Sequence, residues 1–127
     1  PGKYLLVFSG PVAEVDESFQ AGVEAAGTRL LDKLYLPHVA EGVVAALDGV
    51  FGRVEAGDSV GLIELQTVSA ALRAADVALK RARVKLTALQ LARGIGGKGW
   101  FTLAGSQDDV EAALEGAAAS IEPHLLV

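Results

Sequence analysis

The run Gly94-Ile95-Gly96-Gly97-Lys98-Gly99-Trp100 gathers four glycines and a lysine, a composition able to cradle a phosphate on backbone N–H groups. A Walker-type loop requires G-x-x-x-x-G-K-[ST]. Here Ala92 stands where the first glycine belongs and Gly99 where the hydroxyl belongs, so the motif fails at both ends. Gly94, Gly96 and Gly99 do fit G-x-G-x-x-G. The apolar run after them predicts a strand, however, and a pyrophosphate needs a helix N-terminus at that place. These glycines suit tight turns and close approach of backbones better than a nucleotide.

The remaining reactive side chains assemble no catalytic set. Cysteine is absent, which excludes disulfides, thiolate nucleophiles and Cys-held metal clusters. His38 and His124 have no second ligand at metal spacing, so neither is expected to hold a metal or catalyse. Asp16-Glu17 and Asp108-Asp109 are expected in the first turns of two helices, where carboxylates complement the dipole. Trp100 and Phe101 read as strand residues in a core or interface rather than a ligand cage. No enzyme activity, cofactor or metal is expected.

Charge and hydropathy narrow the class further. The 127 residues carry a formal charge of −5, so nucleic acid and anionic lipid are not expected partners. Lys80, Arg81, Arg83 and Lys85 form the single basic cluster, which lacks interleaved aromatics and reads as a solvated or subunit-contacting edge. The chain is 51% hydrophobic yet only 6% aromatic, an excess that suggests surface buried against partner subunits. Its longest uncharged run, Tyr4 to Ala13, is ten residues. A bilayer takes about 20, so no membrane span is expected and a soluble, cytoplasmic protein is.

The elements that must position the glycine loop follow from periodicity. Lys3 to Ser9 reads as a strand, and Val12, Val15, Phe19, Val23 and Ala26 recur at helical spacing. Leu30 to Leu36 reads as a strand stopped by Pro37, and a short helix runs through Val43, Val44 and Leu47. The glycine-rich, charged stretch from Asp48 to Asp58 reads as a linker. Beyond it come a strand at Ser59 to Gln66, a helix capped by Thr67, a strand at Val84 to Ala92 and the glycine loop. A strand from about Lys98 to Ala104 and a helix capped by Ser106 follow, and "HLLV" begins one more strand.

An internal repeat ties these pieces together. At an offset of 95 positions Gly2 falls on Gly97, Lys3 on Lys98, Leu6 on Phe101, Gly10 on Gly105, Val15 on Val110 and Leu30-Leu31 on Leu125-Leu126. The match crosses loop, strand, helix and strand, so it reads as duplication. On this basis residues 1–50 are the C-terminal part of a first repeat, 51–58 a linker and 59–127 a second repeat. The sequence is expected to start inside one repeat and stop inside the next, with the last strand cut short.

The second repeat resembles a bacterial microcompartment shell domain. It carries "GLIE" (61–64) in a first strand, "AAD" and "LK" (74–80) in an alanine-rich helix, then the glycine loop and a "DVEAA" helix (109–113); upstream, "LLDKLYLPH" (30–38) is similar to the family's last strand and tail. The resemblance implies an α/β (α+β) fold, a mainly antiparallel four-stranded sheet with helices on one side, in tandem. It implies a structural shell protein whose homotrimers form pseudohexagonal tiles that pack edge to edge with other shell proteins. Gly94, Ile95, Gly96, Gly97 and Lys98, with Pro1, Gly2 and Lys3 from the other repeat, would line a central pore for small metabolites. Lys80 would lie at the tile edge. The family's frequent arginine before the histidine is replaced here by Leu36-Pro37-His38, which leaves that edge contact without its residue. The alternative is an oligomeric regulator binding a small molecule or nucleotide phosphate on the GIGGKG loop.

Overall fold

Thr67 and Ser106 set the frame of the second half of the chain. In the computed structural model, which describes residues 3–94 and 96–127, Thr67 Oγ1 accepts the Ala70 N–H at 3.0 Å and Ser106 Oγ accepts the Asp109 N–H at 3.2 Å. Each hydroxyl satisfies a donor that the first helical turn leaves unpaired. From these caps run α3 (Val68–Arg81) and α4 (Gln107–Ala119); two earlier helices, α1 (Val12–Ala26) and α2 (Glu41–Leu47), precede them in the chain.

Strands β1 (Ser59–Leu65), β2 (Lys85–Leu91) and β3 (Gly99–Gly105) form a sheet of order β1-β3-β2, antiparallel at both junctions. Central β3 places Phe101 and Leu103 in the core, opposite Ile63 and Gly61 of β1. Helices α3 and α4 pack on that face. Their contact surfaces are largely alanine: Ala70, Ala71, Ala74, Ala75 and Ala78 of α3, Ala113 and Ala117 of α4. Small side chains bring backbones close, and at Gly99 the approach is closer still. A Cβ there would lie 2.5 Å from the Ala71 Cβ, inside any van der Waals contact. Between Leu86 and Ala88 the register of β2 shifts by one residue.

The expected fourth strand is reduced to one antiparallel bridge, Leu65 with Leu126, flanked by hydrogen bonds from Gln66 N to Leu125 O (2.7 Å) and from Val127 N to Glu64 O (3.2 Å). It runs along the outer edge of β1, after a 3-10 turn at Pro123–Leu125. Among the described residues the sheet therefore has three strands and this bridge.

The chain divides into two compact units, Pro1–Pro37 and His38–Val127. Residues 38–50, which the repeat groups with the first domain, lie in the same compact unit as β1 to α4. In the first unit α1 forms where periodicity places it, and Phe19 meets Tyr35 with ring centroids 5.7 Å apart. The two strands expected at Lys3 to Ser9 and Leu30 to Leu36 do not form. A strand is defined by its neighbours' hydrogen bonds. The counterpart of Lys3 to Ser9, β3, is held between β1 and β2, and the described residues of the first unit form no strand equivalent to either. One placement within a helix also changes: α1 starts at Val12 with Glu14 in its first turn, so Asp16 and Glu17 fall a turn later. Asp108 and Asp109 do occupy the first turn of α4.

Candidate functional site

The glycine loop closes the β2–β3 hairpin, and no helix follows it. Ala92 N donates to Lys98 O at 2.8 Å and Gly97 N to Ala92 O at 3.4 Å, so the loop is pinched at its base. Gln90 Nε2 donates to Arg93 O at 2.8 Å and holds the first loop residue down. Gly94, Gly96 and Gly97 have φ of 75°, 67° and 86°, the left-handed region where a side chain is costly. Ala92 takes φ 63° as well, despite its Cβ. The loop's glycines thus serve backbone geometry, and β3 occupies the place where a phosphate would need a helix N-terminus.

Among the residues expected at an opening, Gly94 and Gly96 are exposed, and Gly97 and Lys98 half-buried. Lys3 is exposed in the first unit. Pro1, Gly2 and Ile95 lie outside the described residues. Arg93, a second cation of the same loop, is exposed beside Gly94 and was not singled out by motif reasoning.

The basic cluster divides into separate roles. Lys85 Nζ lies 3.1 Å from Asp58 Oδ2 and 3.6 Å from Glu55 Oε1, and Asp58 Oδ2 also accepts the Glu55 N–H at 2.9 Å. That backbone N–H and the Lys85 ammonium hold the Asp58 carboxyl below its ordinary value, against a smaller opposing push from desolvation. With the Gly52 N to Leu86 O bond (2.9 Å), these contacts fasten residues 52–58 along β2. The stem of Arg81 crosses Gly116, where a Cβ would come within 3.1 Å of its Cγ.

Lys80 is bound to a buried partner. Its Nζ donates to Asp76 Oδ2 at 2.8 Å, one helical turn back, and the other carboxylate oxygen accepts the Ala40 N–H at 2.8 Å. The Asp76 side chain is 6% exposed, that of Lys80 48%. Ala40 is the N-cap residue of α2, so the carboxylate joins α3 to the start of α2. Motif reasoning reads Asp76 only as part of the "AAD" signature, although a signal for the ion pair was there: an acid among alanines, four residues before a lysine.

The two histidines are both exposed. His124 Nδ1 lies 3.5 Å from Glu122 Oε2 with both side chains open to solvent. Among the described residues no group of three His, Asp or Glu is arranged to hold a metal ion. No described helix is long and apolar enough to cross a membrane.

Similarity to known proteins follows the same outline. Residues 59–127 match the BMC domain family. The whole chain is 38% identical, over 128 aligned positions, to the bacterial microcompartment shell protein PduT of Citrobacter freundii, of which it spans 69%. A crystal structure of a microcompartments protein from Desulfitobacterium hafniense DCB superimposes with a TM-score of 0.81 at 32% identity. That match covers 93% of this chain and 66% of the other, just under two thirds.

Proposed function

This chain belongs to the BMC domain family, and from that premise we propose that it is a structural shell protein of a bacterial microcompartment rather than an enzyme. Its place is the protein shell of such a compartment in the cytoplasm. The observation that carries this reading is the similarity to a shell protein across the entire chain, through both repeat-related segments. The two repeats would let three chains make a pseudohexagonal tile, with homotrimers packing edge to edge and against other shell proteins.

In such a tile the pinched β2–β3 loop supplies the rim of a central opening. Left-handed glycines let several loops crowd one axis and turn backbone N–H groups toward it. Gly94, Ile95, Gly96, Gly97 and Lys98, with Pro1, Gly2 and Lys3 of the first repeat, would form that rim, and the lysines would favour small anionic metabolites. Lys80, at the C-terminal end of α3, would meet the neighbouring tile.

Electron microscopy of concentrated protein tests the reading. Hexagonally ordered sheets or tubes are expected, with no heat of binding when common nucleotides are titrated in. A discrete small oligomer that never assembles and binds a nucleotide at micromolar concentration would overturn it in favour of a phosphate-binding regulator.

A further inference from the structure

We infer that Asp76 is a positioning residue for Lys80, fixing the ammonium before any neighbouring molecule arrives; the inference rests on the proposed edge role of Lys80. An exposed lysine ordinarily moves through many rotamers, and ordering it on contact costs free energy. Lys80 differs because its partner cannot follow it. The Asp76 carboxylate is buried in α3, and Oδ1 is held at 2.8 Å by the Ala40 N–H. Oδ2 is the oxygen that meets Lys80, also at 2.8 Å. The acid stands four residues on the N-terminal side of the lysine, the favourable order on a helix. An ammonium carries three hydrogens, and the ion pair takes one. With 48% of the side chain exposed, the others are left for a carbonyl or carboxylate oxygen of a second copy.

The arrangement also separates two tasks of one carboxylate. Asparagine at position 76 keeps an oxygen for Ala40 N–H, and so keeps α2 attached, but removes the charge that fixes Lys80.

The test compares wild type, Asp76→Asn, Lys80→Ala and the double variant in the full chain, reading the protein concentration at which ordered sheets first appear. Thermal unfolding of each is followed in parallel. Asp76→Asn is expected to raise the threshold roughly 2- to 10-fold, the equivalent of one side chain ordered on contact rather than beforehand. Lys80→Ala raises it at least as far, and the double variant is no worse than Lys80→Ala alone. If Asp76→Asn assembles like wild type while Lys80→Ala does not, the positioning role is wrong and the edge role stands. If Lys80→Ala assembles like wild type, the edge role itself is wrong. A measurement on unassembled wild type guards against a variant that fails to fold. Side-chain relaxation by NMR is expected to find the Lys80 ε-methylene more ordered than that of exposed Lys33, and equal mobility overturns the inference.

Discussion

Residues 3–26 and 98–121 carry one apolar pattern, 95 positions apart, and meet different ends. In the later copy β3 lies between two strands, and α4 buries Val110, Ala113 and Ala117. In the earlier copy the helix starts at the equivalent position, Val12 for Gln107, yet no residue of α1 is buried and Lys3 to Ser9 forms no strand. Helical hydrogen bonds are local, so a helix needs only its own residues. A strand and a core need partners from elsewhere in the chain. The pattern is inherited by both copies; the packing is not.

The largest expected contrast is between equivalent core positions. Phe101→Ala empties a fully buried site and should cost about 3–5 kcal/mol, whereas Leu6→Ala, at a position 70% exposed, should change stability by less than about 0.5 kcal/mol. Urea unfolding followed by circular dichroism measures both, and equal costs would break the contrast. The helix starts come next. Ser106→Ala should cost about 1 kcal/mol by removing the α4 cap. Pro11 gives α1 no side-chain cap, so Pro11→Ser should slow amide exchange in the first turn of that helix. Faster exchange there would mean that the fixed φ of proline matters more than the missing acceptor.

The smallest effect sharpens the second unit's side of the comparison. Because the folded Asp58 carboxyl is held below its unfolded value, its contribution is complete above about pH 4. It fades as pH falls through the lowered folded value, where the native carboxylate also protonates. Asp58→Asn should therefore be less stable than wild type near neutral pH and match it in strong acid. A stability difference that persists unchanged into strong acid would assign the effect to packing instead.

Much of the second unit is legible in its sequence because local signals agree there. Thr67 and Ser106 announce α3 and α4, apolar runs bounded by turn residues announce β1, β2 and β3, and the four clustered glycines announce the hairpin loop. The family resemblance rests on the same residues. What sequence leaves out is pairing: nothing within "KYLLVFSG" tells whether strands will flank it, because that depends on residues elsewhere. The Asp76 link to Ala40 spans 36 positions and was hidden for the same reason, while its link to Lys80, four apart, was in plain view. The pinched base of the loop was likewise illegible, since it takes Ala92 and Lys98 brought opposite each other by the hairpin.

The register shift in β2 bears on where that loop points. Leu86 and Leu89 are three apart in sequence and would ordinarily face opposite ways, yet they pair with Leu103 and Phe101, two apart on one face. Thr87 is the surplus residue that restores the phase, and its hydroxyl is 2.7 Å from that of Thr102. A strand one residue longer than its partner coils more strongly. The bend that this extra residue introduces thus lies upstream of the glycine loop, in the strand that leads into it. Shortening β2 by Thr87 would leave Leu86, Leu89 and Leu91 facing the helices while swinging the hairpin end toward a new direction.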